Sequence, residues 1–264
     1  MIVFYCFIDK LLIKDIKIIS CYFGEKDTRV FKAPLKSKCY YFSNNKSLKG
    51  KIEAKGWNFI FLDNFELTKD YRISSLQSKY VKFLQFDKKK IKWQKGESIL
   101  YFDNKLNVHS RHIAKAKKLC KNAILIRNTP KEKLTIDDEI NEAIKQERYL
   151  EFMDKTTSWV ENKIKYENYK RNNRIMNTGF ILYQDVSLIQ KLCDEVYESC
   201  NQLGQPECQV IWGVLSQRFE KNITRVNFEA FEFNKHNKYL KYFIKRVLYF
   251  IKRVLYYFRI FLKF

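Results

Sequence analysis

An α/β domain, built on one mixed sheet with helices on both faces, is predicted by two features of the chain. Short runs of β-branched and aromatic residues alternate along its length with longer stretches of helical spacing. The run at residues 99–102 (ILYF) carries no charge and no breaker, then stops at Asp103, as a strand buried on both faces of a sheet does. In an open α/β sheet, groups just past the carboxyl end of a central strand line the ligand crevice, so Asp103 is a candidate to hold a metal or a ligand. The plainer alternative is an ordinary turn at Asp103-Asn104-Lys105, because Asp and Asn hydrogen-bond their own backbone. At 264 residues and 46% hydrophobic, the chain is long enough to bury a full core as one domain with an appendage.

Each element has its own warrant. Residues 16–23 (IKIISCYF) end at Gly24 and read as the first strand, and the polar segment 24–38, which holds Pro34, reads as a loop leaving its carboxyl end. Residues 39–43 (CYYFS) form the second strand and 57–62 (WNFIFL), introduced by Gly56, the third, with a short helix over 46–55 between them. Over 71–84, Ile73, Leu76, Tyr80, Val81 and Leu84 recur near helical spacing. That spacing alone puts Lys79 and Lys82 off the most apolar face, in solvent. The strand that stops at Asp103 comes next. A basic helix over 110–119 and a strand over 123–126 (AILI) follow it. The segment 135–150 opens with a Thr135 cap, has acids in its first turn, and repeats apolar residues at Ile136, Ile140, Ile144 and Tyr149, which predicts a helix; a second helix spans 153–169. Residues 177–184 (NTGFILYQ) read as a strand entered through Gly179, and 187–200 and 207–218 as helices.

Composition narrows the chemistry. A formal net charge of +22 suggests an anionic partner: nucleic acid, an acidic membrane face or a phosphorylated small molecule. Lysine carries most of that excess, alongside abundant Asn, Ile, Phe and Tyr, a composition that AT-rich coding sequence also produces. Seven scattered cysteines without a CxxC read as small buried hydrophobes in a reducing compartment, with no structural disulfide and no zinc site. The first dozen residues are apolar but lack a basic leader and a cleavage site, and they are too interrupted to span a bilayer, so the cytoplasm is the expected compartment. With seven glycines and no GxGxxG, Walker loop or GxSxG, neither a glycine-rich phosphate cradle nor a serine hydrolase is supported. His109 and His112 read as a pair on a helix surface, and His236 stands alone.

The blocks FGEKD, KAPL, CYYFS, GWNFIFLD, SKYVKFL, SILYFDNKL, DDEINEAIK, NTGFILYQ and ECQVIWGVL, in this order over roughly residues 17 to 220, resemble a GT-A type glycosyltransferase. More narrowly they are similar to the plant turgor-regulation-defect and mucilage-related glycosyltransferase-like family, which has bacterial relatives in surface-polysaccharide clusters. The resemblance implies a single GT-A-like (Rossmann-like) mixed sheet over 17–234, after an N-terminal extension at 1–16. It also implies a nucleotide-sugar donor over the carboxyl ends of the strands and a lipid-linked or surface-glycan acceptor. Phe23, Gly24 and Asp27 then fall on the nucleotide side. Lys79 and Lys82 match a basic pair suited to the diphosphate, and Asn177, Thr178 and Gly179 fall on the acceptor side. A divalent cation, Mn²⁺ or Mg²⁺, is often held in such folds by an Asp-x-Asp-like motif. Asp103 fits its first carboxylate, but the third position is Lys105. Either the ion rests on Asp103, water and the donor's phosphates, or Lys105 takes its place electrostatically. The family's closing Asp-Gln pair stands here as Cys208-Gln209, with Glu207 the nearest acid, so Asp103, Glu207 and Gln209 are the catalytic candidates. An inverting enzyme needs such an acid as general base and a retaining one does not; the sequence leaves both open.

The tail is distinctive in its own right. From Lys235 onward there is no acidic residue, and YFIKRVL occurs in tandem at 242–248 and 249–255. On a helix, Lys238, Lys245, Lys252 and Arg259 share one slowly drifting stripe with Arg246 and Arg253 beside it, and the remaining arc is Phe, Tyr, Ile, Val and Leu. No charge-free run approaches the ~20 residues that spanning requires. Residues 235–264 are therefore predicted to be a basic aromatic helix lying in the interface of an anionic membrane, with Lys245, Arg246, Lys252, Arg253 and Arg259 facing the headgroups. The protein would then be held peripherally at the inner face of the cell membrane. A helix docked on the domain or a coiled coil is the alternative. Two functional classes remain: a membrane-associated sugar transferase, or a non-enzymatic protein binding nucleic acid or anionic membrane. Basic residues spread through helices and loops, with no recognisable nucleic-acid-binding motif, favour the first. A degenerate transferase retained for binding is a third.

Overall fold

The computed structural model describes residues 13–130 and 135–233. The predicted tail helix and most of the N-terminal extension lie outside the described residues. Strands β1 (Ile16–Cys21), β2 (Cys39–Ser43), β3 (Asn58–Phe61), β4 (Ser98–Phe102), β5 (Ile124–Asn128), β6 (Met176–Tyr183) and β7 (Ile223–Val226) form one sheet in the order β3-β2-β1-β4-β6-β5-β7. The first four run parallel, β6 is antiparallel to both β4 and β5, and β7 is parallel to β5. The sheet is thus mixed, as predicted, and the strand expected at its centre is β4.

Burial explains why these runs carry no polar alternation. Every residue of β1, β2, β4 and β5 is buried, so both faces must be covered. The covering helices are α1 (Lys49–Glu53), α2 (Tyr71–Lys82), α3 (Ser110–Leu119), α4 (Ile136–Ile144), α5 (Glu147–Glu167), α6 (Val186–Leu203) and α7 (Cys208–Leu215). On one face, Ile99 and Tyr101 of β4 join a core with Val81, Leu192 and Trp212, and Phe83 stacks on Trp212 at 5.8 Å. Alternate residues of a strand face opposite ways, and on the other face Lys117 of α3 donates to Ser98 Oγ at 2.7 Å.

Chain order creates a crevice. From β1 the chain moves outward through β2 to β3, then returns to place β4 on the opposite flank of β1. Connections diverge at that point, and in open α/β sheets this is where ligands bind, beyond the carboxyl ends of the strands.

Several expectations are corrected. Lys79 and Lys82 are each 5% exposed whereas Ile73 is 49% exposed, the reverse of the solvent placement read from helical spacing. The carboxyl half of α2 packs against β1 in the interior of the sheet and against α6, and its first turn projects outward. His112 is buried, not on a surface: its Nδ1 accepts from the His109 backbone N–H at 3.1 Å and closes the start of α3. Burial holds that imidazole down at about 4, with the Arg111 charge acting in the same sense. Thr135 caps α4, as predicted, and Asp138 returns the bond to the Thr135 N–H, but the helix ends at Ile144. Gln146 is extended (φ −109°, ψ 111°), and α5 starts two residues after Lys145, which allows Tyr149 and Met153 to turn into the core independently of Ile140 and Ala143. The edge strand β7, four residues long, was not anticipated. Among the described residues, six cysteines are free thiols and all but Cys120 are buried. No helix among them is long and apolar enough to cross a membrane.

Candidate functional site

At the divergence point lies a cleft of about 280 Å³. The exit of β1 contributes Cys21, Tyr22 and Phe23, and the exit of β4 contributes Tyr101, Asp103 and Asn104. Ser74, Ser75 and Ser78 of α2 form a hydroxyl-bearing wall, and Tyr71, Arg72, Tyr149 and Pro206 complete the rim.

The floor is organised by Asp103. Its backbone N–H donates to the Gly179 carbonyl at 3.0 Å, which carries the β4·β6 ladder one residue past the strand. Its Oδ1 accepts from the Tyr101 hydroxyl at 2.8 Å and lies 3.3 Å from Lys82 Nζ; its Oδ2 lies 3.7 Å from Lys105 Nζ. Burial alone would raise this carboxyl, but the charges of Lys82 and Lys105, the Tyr101 hydroxyl and Lys79 outweigh it and hold the group well below the usual carboxylate range. Burial likewise opposes the Lys82 ammonium, and Asp103 reverses the effect, so that lysine stays charged to above its ordinary range. The partner on which the carboxylate depends is Lys82, whose side chain is 6% exposed; Lys105 is 77% exposed, and pairs that open contribute little.

The surroundings of Lys82 are equally specific. Its ammonium lies 5.3 Å over the Tyr101 ring and 4.0 Å from Cys208 Sγ, and its carbonyl accepts from the Tyr183 hydroxyl at 2.6 Å. Thr178 Oγ1 and Cys208 Sγ approach to 3.3 Å, tying β6 to the first turn of α7.

The mouth of β6 is shaped around the same carboxylate. The register between β5 and β6 shifts between Ile126 and Arg127, beside Asn177, Thr178 and Gly179, and such irregularities re-aim side chains near functional sites. Asn177 Oδ1 accepts from both Arg127 Nη2 and the Gly179 N–H at 3.1 Å. A Cβ on Gly179 would stand 2.9 Å from Asp103 Oδ2 and 3.1 Å from Asn177 Oδ1. Gly179→Ala should therefore displace the carboxylate and destabilise the protein by about 1–3 kcal/mol, the usual range for overpacking. Urea denaturation measures it, and an unchanged midpoint would mean that the contact is slack.

The remaining predicted residues are placed as follows. Gly24 (φ +115°) makes the turn out of β1 in a backbone region that favours glycine, with Thr68 O 3.3 Å from where a Cβ would lie. Asp27 is 75% exposed at its side chain, and its carboxylate receives Lys51 Nζ at 2.7 and 2.8 Å. Glu207 is buried and caps α7, accepting from the Gln209 N–H at 2.7 Å. The Gln209 side chain instead donates to Glu139 Oε1 at 2.8 Å.

Sequence reading passed over Glu139, Asn44 and Asn45. Asn44 Oδ1 accepts from the Gly24 N–H and Asn45 Nδ2 donates to the Gly24 carbonyl, both at 3.1 Å, so these buried amides fix the β1 exit. Asn44-Asn45 right after a strand was a readable turn signal; the partners, some twenty residues away, were not.

The donor set does not fit a divalent cation. Such an ion takes about six or more oxygen ligands in this size class, several of them usually carboxylates. Asp103 has both oxygens committed to ammonium and hydroxyl groups, and no cluster of three metal-ligating acids, cysteines or histidines occurs among the described residues. No protein-family model matches the chain, and no curated protein matches it at a significant level.

Proposed function

We propose that the chain is a nucleotide-sugar-dependent glycosyltransferase that works at an anionic membrane surface on a lipid-linked or surface-glycan acceptor. The observation that carries this reading is the cleft at the divergence of β1 and β4, whose strand-end carboxylate is backed by the buried Lys82 ammonium. A nucleoside diphosphate suits such a place: aromatic faces at Tyr22, Phe23 and Tyr71 for the base, serine hydroxyls on α2 for the ribose, and for the phosphates Arg72 at the rim with the ammonium charges of Lys79 and Lys82 behind Ser75 and Asp103. In the transfer, the bond between the anomeric carbon and the phosphate oxygen breaks with its electron pair left on that oxygen. The acceptor hydroxyl forms the new bond to carbon and gives up its proton to a base. Glu207, which follows the cleft-lining Pro206 and caps α7, and Glu139 of α4, which receives the Gln209 amide, are the candidates for that base. The tail supplies the membrane contact that a lipid-linked acceptor requires.

Thermal shift of the full chain tests the ligand class. A ligand at about 100 times its Kd stabilises by about 2.7 kcal/mol, which raises Tm by several degrees in a domain of this size. UDP- or GDP-sugars should produce that shift and single-stranded oligonucleotides should not. The opposite pattern would replace the transferase reading with a nucleic-acid binder.

A further inference from the structure

The two buried lysines of α2 are not equivalent. Lys82 has a carboxylate at 3.3 Å. Lys79, one turn earlier and equally buried, has a single long hydrogen bond, from Nζ to Ser75 Oγ at 3.5 Å, and among the described residues no carboxylate lies within ion-pairing distance of it. Ser75 is itself part of the cleft wall. Its nearby carboxylate charge, Asp103, is already paired with Lys82, and an ammonium withdrawn from water without a carboxylate of its own is unfavourable, so an anion entering the cleft beside Ser75 would stabilise this position. Asp103, the one acid on the cleft floor, is already neutralised by Lys82 on Oδ1 and approached by Lys105 on Oδ2. A dication placed on either oxygen would have to displace an ammonium group or stand against it.

We infer that the cleft binds the diphosphate of its donor against the ammonium charge of Lys79, which stands behind the Ser75 wall, and needs no divalent metal, because the Lys82–Asp103 pair fills the place of a metal and its ligand. This rests on the reading of the cleft as a nucleotide-sugar site. When the anomeric bond breaks, the charge left on the phosphate oxygen is met by Lys79 and by the exposed Lys105. Lys82 holds Asp103 and the turn after β4 in position, and is a positioning residue.

Calorimetry on the full chain tests this. Metal-stripped protein is titrated with MnCl₂ alone, then with UDP and with GDP, in EDTA and in excess Mn²⁺. The expected results are no saturable Mn²⁺ site and, for at least one nucleotide, an affinity that agrees within about twofold between the two buffers. Lys79→Ala should weaken that nucleotide by about ten- to a hundredfold, the range a charge-assisted hydrogen bond confers, and Lys79→Arg should restore part of it. Because Lys79→Ala removes an unbalanced buried charge, its Tm without ligand should equal or exceed that of the parent. A fall in Tm would show that Lys79 is structural and overturn its role. Nucleotide binding that requires Mn²⁺ overturns the inference and leaves the transferase reading standing; no nucleotide binding in either buffer removes both.

Discussion

Asp103→Ala should lower stability by about 3–5 kcal/mol, because it leaves Lys82 as a buried ammonium with no carboxylate. A strand-end position by itself would leave the fold intact on such a change, with turnover alone lost; the ion pair with Lys82 makes it a core change. Asp103→Asn keeps the volume and an acceptor for the Tyr101 hydroxyl while discarding the charge that holds Lys82 and the turn after β4 in position, and should reduce nucleotide-sugar turnover by about 10²-fold, as misplacement of a binding group does. Lys82→Met combined with Asp103→Leu should regain most of the stability and none of the turnover, since apolar replacement of a buried pair is often neutral. Denaturant midpoints and initial rates separate the two effects, and a loss below about 1 kcal/mol in Asp103→Ala would mean that the pair is no stronger than one on the surface. The pH dependence follows from the directions of the shifts. A depressed carboxyl contributes stability above about pH 4 that is lost as pH falls through its lowered value; a raised ammonium contributes below about pH 10 that is lost as pH rises past its raised value. The stability difference between parent and Asp103→Asn should therefore be flat from about pH 5 to 9.

Removal of residues 238–264 should release the protein from anionic vesicles altogether. Nine basic residues follow Glu232, each contributing about 1 kcal/mol near an anionic leaflet before saturation, and the aromatic arc adds about 25 cal/mol per Å² of apolar area buried. Binding by the full chain should accordingly be only partly reversed by high salt, whereas a purely electrostatic tail would be stripped. Turnover of a water-soluble acceptor analogue should survive truncation, since every residue lining the cleft precedes Glu207. A truncated chain that still sediments with vesicles, or a full-length chain that floats free of them, would refute the interfacial tail.

What the sequence disclosed, and what it concealed, follow from the range of the interactions involved. The strand ILYF was readable because a charge-free run has few other uses, and Asp103 because a strand end in such a sheet is a ligand position. The Thr135 cap was readable because capping is local. Burial of Lys79 and Lys82 was concealed because helical periodicity treats α2 as uniformly seated, when its first turn leaves Ile73 in solvent and its last inserts a lysine toward a carboxylate 21 residues on. Glu139 was concealed because its partner Gln209 is 70 residues away. The strand β7 was concealed because four residues at a sheet edge leave almost no pattern.

A nucleoside diphosphate at the divergence point of β1 and β4 would be seen directly in a complex. A crystal structure of the full chain soaked with UDP or GDP gives that complex. The diphosphate is expected between the Ser75 wall in front of Lys79 and the Asp103-Asn104 turn, the base against Tyr22, Phe23 or Tyr71, and no cation between phosphate and carboxylate. Nucleotide seated elsewhere, for instance in the groove of α4 and α5 lined by Asp137, Asp154 and Arg171, or a cleft that stays empty at millimolar ligand, would contradict it.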